Sequence, residues 1–298
     1  MPATPSPRTI LETLLPHLRV AARYAQQIQT SIVALPDKDD APNAFAAALT
    51  AADMSVQTAV EVALLGTFPH LHFYGEEYEQ SFNTGYVRSQ DLSPPGNYLV
   101  TLDPIDGTRF YVDGHDNYQI LLGVLGWDEF EAVLAITPAQ NRYAYALRGQ
   151  GLVQGALHED LDACTPVHIE QPQAAILLGS GMAKVKPFLP DTYEAIAVET
   201  DYDTIRGIPN VNGVLTGDLA GAVLRGGKFI DGAAIAFLAT EMGYVVTTHQ
   251  GEPLPPLHAC SDYARPGLII AASAKIHQDL LQAVQAAIAR DATESSEA

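Results

Sequence analysis

The spacing of apolar residues over the first part of the chain predicts two amphipathic helices. Residues 8 to about 30 place an apolar residue every three or four positions, the period of a helix with one buried face. A second helix is predicted from about residue 44 to Leu65, ending at Gly66. Asp53 lies on the same face as the apolar stripe of this second helix.

Apolar runs of a different period predict strands further along the chain. Residues 70–74 alternate and end in Gly75, Glu76 and Glu77, while residues 97–102 form an apolar run that leads directly into Asp103. Three more runs, two of them separated by a turn-forming Pro-Ala-Gln-Asn sequence, predict a meander of neighbouring strands at residues 118–126, 131–137 and 142–148.

The second half of the chain alternates strand and helix patterns, which indicates an α/β layer arrangement. Strands are predicted at residues 174–180, 194–199, 244–249 and 267–273, and helices near 210–224, 232–242 and 274–290. We expect two sub-domains that share a cleft, residues 1–160 and residues 161–298, with the seam near residues 155 to 165.

Charge and cysteine content narrow the possible partners. The 298 residues include 16 basic and 35 acidic side chains, a net charge of −19 that disfavours nucleic acid and anionic membrane surfaces. An anionic substrate would then need bound divalent cations to attract it. Two distant cysteines, no signal-type apolar run and no stretch long enough to span a bilayer predict a cytoplasmic protein.

Acidic residues recur where the predicted elements begin or end. Alone, each has an ordinary explanation as a solvated turn, a turn former or an edge residue. Together, carboxylates that end adjacent strands and cap a helix converge at one edge of a sheet, where α/β folds place their sites. Clustered carboxylates require protonation or cations, and hard divalent ions suit them. Magnesium is the leading choice for the set Asp53, Glu76, Glu77, Asp103 and Asp106.

The residues after Asp106 add a means of binding an anion. Gly107 lets the backbone approach a ligand closely, and the N–H groups of Gly107, Thr108 and Arg109 can point at a phosphate if a helix begins there. Metal ions, backbone amides and a neighbouring hydroxyl together indicate metal-assisted hydrolysis of a phosphate ester.

Four segments resemble one known family in order and spacing. They are "LTAAD" at residues 49–53, "GTFPHLHFYGEE" at 66–77, "LDPIDGT" at 102–108 and "IDGAAIAFLATEMG" at 230–243. They resemble the inositol monophosphatase family of magnesium-dependent, lithium-sensitive phosphatases. The resemblance implies an αβαβα layered sandwich with the site between its sub-domains, and a homodimer that acts on a small phosphorylated metabolite.

The resemblance also implies a role for each acid, with two or three Mg²⁺ ions bound. Asp53 and Thr108 would position the attacking water, with Asp53 near a third, weaker ion, and Glu77 would support the ligands. The ligands of the activating metal would be Glu76, Asp103 and the main-chain oxygen of Ile105, and those of the second metal Asp103, Asp106 and Asp231.

Departures from the family pattern leave the substrate open. Leu224 stands where members acting on inositol phosphates have a glutamate that bonds a substrate hydroxyl. Arg109 resembles the branch that removes the 3′-phosphate of adenosine 3′,5′-bisphosphate. The sequence "LRGGKFIDGAA" resembles archaeal members that accept fructose 1,6-bisphosphate, so Arg225 and Lys228 are candidates to reach a second phosphate.

Two questions keep alternative answers: the role of Gly179 and Ser180, and whether the protein is an enzyme. Gly179 and Ser180 follow a predicted strand and either line the substrate side of the cleft or form a plain strand-to-helix turn. A non-catalytic relative that binds a phosphorylated metabolite or another protein is the rival to a hydrolase.

Overall fold

The chain folds as two units, described here from a computed structural model of residues 4–31, 50–77, 92, 97–205 and 207–297. The first unit takes the described chain up to Val167 together with Pro256–His258, and the second takes the rest. The sequence predicted a boundary between residues 160 and 161. The first unit extends to Val167, because the strand Thr165–Pro166 pairs with the strand before it.

A seven-stranded sheet forms the centre of the first unit. Its strands lie side by side in chain order: β1 His72–Gly75, β2 Leu99–Asp106, β3 Gln119–Leu125, β4 Phe130–Thr137, β5 Arg142–Leu147, β6 Leu152–Ala156 and β7 Thr165–Pro166. β1 and β2 are parallel, and each later pair is antiparallel. The predicted meander is confirmed, and the parallel pair brings two carboxyl ends to one edge of the sheet.

Helices pack on this sheet through the apolar faces that the sequence predicted. Ile10, Leu14 and Leu18 are fully buried on the first helix, as the spacing of apolar residues requires. The second helix begins where Thr50 caps it, and its predicted start near residue 44 lies outside the described residues. The helices of this unit are α1 Pro7–Ile28, α2 Ala51–Thr67 and the short α3 Thr108–Val112.

The second unit is built on a five-stranded sheet with helices on its faces. In spatial order its strands are β12 Val245–Thr248, β14 Leu268–Ala271, β10 Gly221–Leu224, β8 Ala175–Leu178 and β9 Glu194–Ala197. A separate ribbon pairs β11 Gly227–Lys228 with β13 Ala264–Arg265. The helices are α4 Val198–Asp201, α5 Gly232–Glu241 and α6 Ala274–Glu297.

The two long helices of the second unit cover opposite faces of its sheet. α6 packs on the face that carries Val223 and Ile269. The start of α5 lies against Leu224, which points the other way because neighbouring residues of a strand alternate between faces. Within each unit, helices and sheet therefore form layers. In the part of the chain that the structure describes, no helix combines the length and the apolar character needed to cross a membrane.

One predicted element of the second unit is wrong. Residues 210–224 were expected to be helical, but they form a 3₁₀ turn at Val211–Leu215 and then the strand β10. Gly217 has a φ of 85°, which ends the turn, and the buried run that follows is inserted between β8 and β14. A short apolar run fits a buried strand as well as a buried helix, so periodicity alone could not separate them.

The close approach of β10 to its neighbour can be tested at Gly221. A Cβ atom there would lie 2.6 Å from the main-chain oxygen of Ile270. We expect Gly221→Ala to lower the free energy of unfolding by roughly 1–3 kcal/mol, because backbone on both strands must shift. Unfolding in urea measures this change in the free energy of unfolding.

Gly66→Ala is the control. A Cβ at Gly66 meets nothing within 4 Å, since this residue lies at the exposed end of α2. This substitution should be neutral or raise the free energy of unfolding by up to about 1 kcal/mol. Equal effects of the two variants would contradict the packing described.

Candidate active site

Asp53 is held in the first turn of α2 by a reciprocal capping arrangement with Thr50. The Thr50 hydroxyl oxygen accepts hydrogen bonds from the main-chain N–H groups of Ala52 and Asp53. In return, Asp53 Oδ2 accepts from the Thr50 main-chain N–H at 2.8 Å and from its hydroxyl at 2.5 Å. The Thr-x-x-Asp spacing therefore starts the helix and fixes the orientation of the carboxylate at the same time.

The other oxygen of Asp53 faces Thr108. The Thr108 hydroxyl lies 3.2 Å from Asp53 Oδ1 and 2.9 Å from the main-chain oxygen of Ile105. A hydroxyl has one hydrogen to donate, so these two acceptors share it. All three residues are buried. The structure thus joins the start of α2 to the end of β2 through one threonine.

Burial alters the acidity of Asp53. The pKa of Asp53 is raised from 3.8 to about 6. Loss of hydration is the largest cause, hydrogen bonds from Thr50 oppose the rise, and the nearby charge of Glu76 adds to it. A carboxyl group with this pKa exchanges its proton close to neutral pH. Such a group is suited to accept a proton from a reacting molecule.

Glu76 directly follows the end of β1, and Asp103 lies in β2 just past the stretch that pairs with β1. Gly75 pairs with Leu102 in register, and the Glu76 main-chain N–H donates to the Leu102 oxygen at 3.0 Å, so the next residue of each strand is an acid. Asp103 is buried, and its Oδ1 accepts from the Ile105 main-chain N–H at 3.2 Å. The convergence of these acids follows directly from parallel pairing.

The Asp-Pro-Ile-Asp segment interrupts the pairing between β2 and β3. The register shifts between Asp103 and Asp106, where Pro104 has no N–H to donate to the sheet. Asp106 Oδ2 accepts from Gln119 Nε2 at 2.6 Å. Two acids and the carbonyl of Ile105 are therefore displayed at one break in the sheet.

A helix begins directly after this segment. Gly107 caps it with a φ of 87°, which favours glycine, and α3 starts at Thr108. The Arg109 guanidinium is partly buried and bonds Asp113 Oδ2 at 2.8 Å, one turn further on. The main-chain N–H groups proposed to meet a phosphate thus stand at a helix start, while the Arg109 side chain is engaged within its own helix.

Gln57 is a supporting residue that the sequence reasoning missed. Its side-chain amide forms two hydrogen bonds with the main chain of Glu77: Oε1 accepts from the N–H at 2.9 Å, and Nε2 donates to the oxygen. Gly75 leaves room for this contact, because a Cβ there would lie 2.3 Å from Gln57 Oε1. The signal was present in the sequence: Asp53, Gln57 and Glu61 form a polar line at four-residue spacing within the buried face of α2.

The remaining predicted site residues belong to the second unit. Asp231 caps α5, with its Oδ1 accepting from the Gly232 main-chain N–H. Gly179 continues from β8 and donates its N–H to Val223 at 2.9 Å, and Ser180 follows it, half-buried. The Arg225 side chain is exposed directly after β10.

The acids suit a hard divalent ion by their chemistry. Every candidate donor is a carboxylate or carbonyl oxygen, and the charge of Glu76 bears on the buried Asp53. Among the residues that the structure describes, however, no three His, Cys, Asp or Glu side chains are gathered closely enough to hold a metal as they stand. The carboxylates of Asp53, Asp103, Asp106 and Asp231 instead accept hydrogen bonds from protein groups. A cation would have to replace some of these bonds.

The two layered units define an α+β protein, and the first of them carries several carboxylates where β1 and β2 pair. The model of the inositol monophosphatase family matches residues 12–289, so the chain belongs to this family. The predicted family and fold class are confirmed.

Individual relatives agree with this placement. The chain is 28% identical over 195 residues to the "Putative Nus factor SuhB" of Neisseria meningitidis serogroup B, a match that covers 63% of this chain and 69% of that protein. The solved structure of the Thermotoga maritima IMPase has a TM-score of 0.67 at 18% identity, covering 94% of this chain and 98% of that one. An IMPase/NADP phosphatase solved with Mg²⁺ and phosphate has a TM-score of 0.60 at 18% identity, covering 89% and 91%.

The cost of burying Asp53 can be tested by measuring the free energy of unfolding at several pH values, in EDTA so that no metal ion is bound. Asp53→Asn keeps the acceptor for Thr50 and can donate to the Thr108 hydroxyl oxygen, but it carries no charge. The folded pKa of Asp53 is about 6 against 3.8 unfolded, so the folded wild type binds the proton more tightly and loses stability as pH rises between these values. Relative to wild type, the variant should gain up to about 3 kcal/mol between pH 4 and pH 8.

Chemical denaturation at each pH measures this difference. Asp53→Ala serves as the control: it also removes the charge and should show the same change with pH, but it loses the hydrogen bonds with Thr50 and should be less stable than Asp53→Asn by about 1 kcal/mol at every pH. A wild type that is more stable than Asp53→Asn at pH 8 would contradict the assigned cause.

Proposed function

We propose that the protein is a Mg²⁺-dependent phosphomonoester hydrolase that releases phosphate from a small phosphorylated metabolite. The observation that carries the proposal is the buried contact of Asp53 with Thr108, whose hydroxyl also lies against the Ile105 carbonyl. Asp103 lies in the same strand as Ile105, and the charge of Glu76 acts on Asp53. Membership of the family supports it. The similar structures include an IMPase and an IMPase/NADP phosphatase with Mg²⁺ and phosphate.

The ligand assignment is part of this proposal. Glu76, Asp103 and the Ile105 carbonyl would hold one ion, and Asp103, Asp106 and Asp231 another, with a third ion near Asp53. Bound ions would supply positive charge at the phosphoryl oxygens and acidify a bound water.

Asp53 and Thr108 would orient the attacking water, and Asp53 would receive its proton. The Thr108 hydroxyl can donate to Ile105 or Asp53 and still accept a hydrogen bond from a water. With its raised pKa, Asp53 can take a proton near neutral pH. Thr50 holds the carboxylate in this orientation throughout.

The start of α3 would bind the phosphoryl group. The N–H groups of Gly107 and Thr108 belong to the first turn, where no carbonyl of the helix accepts from them. Arg109 would contribute its N–H group in the arrangement described, since its guanidinium is paired with Asp113. Gly179 and Ser180 remain proposed substrate contacts, and Glu77 a support for the ligands. A homodimer, a cytoplasmic location and lithium sensitivity complete the proposal.

The substrate class is tested by phosphate release from inositol 1-phosphate, adenosine 3′,5′-bisphosphate and fructose 1,6-bisphosphate. We expect Mg²⁺-dependent release from at least one of them, inhibited by Li⁺. Release that is equal with Mg²⁺ and with EDTA would contradict metal-assisted chemistry.

A second candidate function comes from the relative named as a Nus factor. By analogy, the chain would bind a phosphorylated metabolite or another protein without turning over a substrate. Mg²⁺ binding with no release from any of the three esters would favour it.

The role of Asp103 separates the two candidates. Asp103→Asn removes one charge from a ligand shared by both proposed ions, so kcat should fall about 100-fold or more. Mg²⁺ should raise the Tm of wild type but not of this variant, because only the native site binds the ion. The matched control is the exposed Asp191→Asn, which should change neither quantity. Full activity of Asp103→Asn would refute the assignment.

A further inference from the structure

Two peptide groups flank the Cα atom of Glu76, and hydrogen bonds hold both of them. The Glu76 N–H group donates to the Leu102 oxygen of β2 at 3.0 Å. The Glu77 N–H group donates to Gln57 Oε1 of α2 at 2.9 Å, and Gln57 Nε2 donates to the Glu77 oxygen. Peptide groups are planar, so fixing the two that flank a residue fixes its φ and ψ. The direction in which the Glu76 side chain leaves the backbone is therefore set by β2 on one side and by Gln57 on the other.

Gln57 takes the place of a neighbouring strand at this point. β1 pairs with β2 from His72 to Gly75, and Glu77 lies two residues beyond that stretch. A residue of a neighbouring strand can exchange an N–H bond and a C=O bond with its partner, and the side-chain amide of Gln57 offers the same two groups. Gln57 and Glu77 are both almost fully buried, so breaking these bonds leaves polar groups away from water.

Gly75 provides the space that the Gln57 side chain occupies. A Cβ on Gly75 would lie 2.3 Å from Oε1 of Gln57, 2.5 Å from its Cδ and 3.1 Å from its Cγ. The backbone of Gly75 is not in the left-handed region, so glycine is required here by the contact rather than by the conformation. A glycine inside a strand marks a close approach of another group, and in β1 that group is the Gln57 amide.

The same helix carries Asp53. Asp53 and Gln57 are four residues apart on the buried face of α2, a spacing that brings Cβ atoms to about 5–6 Å. Asp53 contacts the Thr108 hydroxyl, while Gln57 bonds the segment that follows β1. One turn of α2 therefore sets the position of the Glu76 backbone relative to Asp53.

We propose that Gln57 is a positioning residue for Glu76. By holding the main chain of Glu77, it fixes how the Glu76 carboxylate is offered to the ion of which Glu76 is a proposed ligand. The inference rests on the proposed function, because it concerns the same ion. All the residues that carry it belong to the first unit. Gln57 should accordingly control the affinity for Mg²⁺, and this effect should exceed what a loss of stability alone produces.

The contact between Gln57 and Gly75 is tested in EDTA, where no ion is bound. In the wild-type background, Gly75→Ala should lower the Tm by roughly 4 °C or more, because the added Cβ and the Gln57 side chain compete for one space. In the Gln57→Ala background, the same substitution should lower the Tm by less than half as much, since the atoms that the Cβ meets are gone. Equal decreases in the two backgrounds would contradict the contact.

Amide hydrogen exchange reports the hydrogen bond at Glu77 directly. Gln57→Met fills a similar volume but offers only a weakly accepting sulfur and no donor, so it separates the hydrogen bonds from the packing. In the ion-free protein, the Glu77 N–H group should exchange at least about tenfold faster in Gln57→Met than in wild type. Unchanged exchange would show that Gln57 does not hold this peptide group, and it would overturn the proposal.

The affinity for Mg²⁺ separates positioning from general support of the fold. Calorimetric titration with MgCl₂ should give a dissociation constant about tenfold or more higher for Gln57→Met than for wild type. Leu14→Ala is the control, because it creates a cavity beneath α1: its Tm should fall at least as far, with the dissociation constant unchanged. If Gln57→Met binds Mg²⁺ as tightly as wild type, or if Leu14→Ala weakens binding equally, Gln57 only supports the fold.

Turnover then separates this inference from the proposed function. If wild type binds Mg²⁺ but hydrolyses none of the three esters, and Gln57→Met weakens binding, the positioning role stands and the hydrolytic proposal fails. If wild type hydrolyses an ester with Mg²⁺ and Gln57→Met needs no more Mg²⁺ for its half-maximal rate, the positioning role is refuted and hydrolysis stands. A wild type that binds no Mg²⁺ refutes both.

Discussion

The carboxylate of Asp53 is buried from water, and the first unit is organised around keeping it there. An ionised carboxyl group in such a place is costly unless hydrogen bonds replace its lost hydration. Thr50 and Thr108 supply them from two different elements, one on each carboxylate oxygen. The start of α2, the end of β2 and the beginning of α3 are therefore tied to one another through a single side chain. Displacing any of the three leaves a buried charge without part of its support.

The need of a buried carboxylate for hydrogen bonds also applies to the other acids of the site. Each carboxylate is oriented by a neighbour close in the chain or across one strand, such as Ile105 for Asp103 or Gln119 for Asp106. These bonds fix the orientation of the carboxylates in the ion-free chain. Binding a cation then exchanges hydrogen bonds of modest net value for metal–oxygen contacts. Stronger hydrogen bonds at these residues stabilise the ion-free chain but lower its affinity for a cation, because the cation must replace them.

Local patterns in the sequence predicted most of the first unit. Helix α1 and the meander follow from apolar spacing, and the acids were identified because they end predicted strands. What escaped prediction depends on contacts between distant segments. Gln57 matters because Glu77, twenty residues later, lies beside it, and no local pattern gives that pairing. The supposed helix at residues 210–224 is the strand β10 because β8 and β14 flank it, which the run of apolar residues does not reveal by itself.

Asp53, Asp103 and Thr108 of the first unit are buried, whereas Arg225 and Lys228 of the second unit are exposed. This difference affects how well each position tolerates substitution. Asp53, Asp103 and Thr108 are buried and joined by hydrogen bonds, so a substitution there disturbs several partners at once. Arg225 and Lys228 project into solvent from a backbone held by other residues, so exchanging their side chains leaves the packing nearly untouched. Surface substitutions of this kind cost little stability. Substitution at these exposed positions is therefore independent of the buried hydrogen bonds that hold the acids in place.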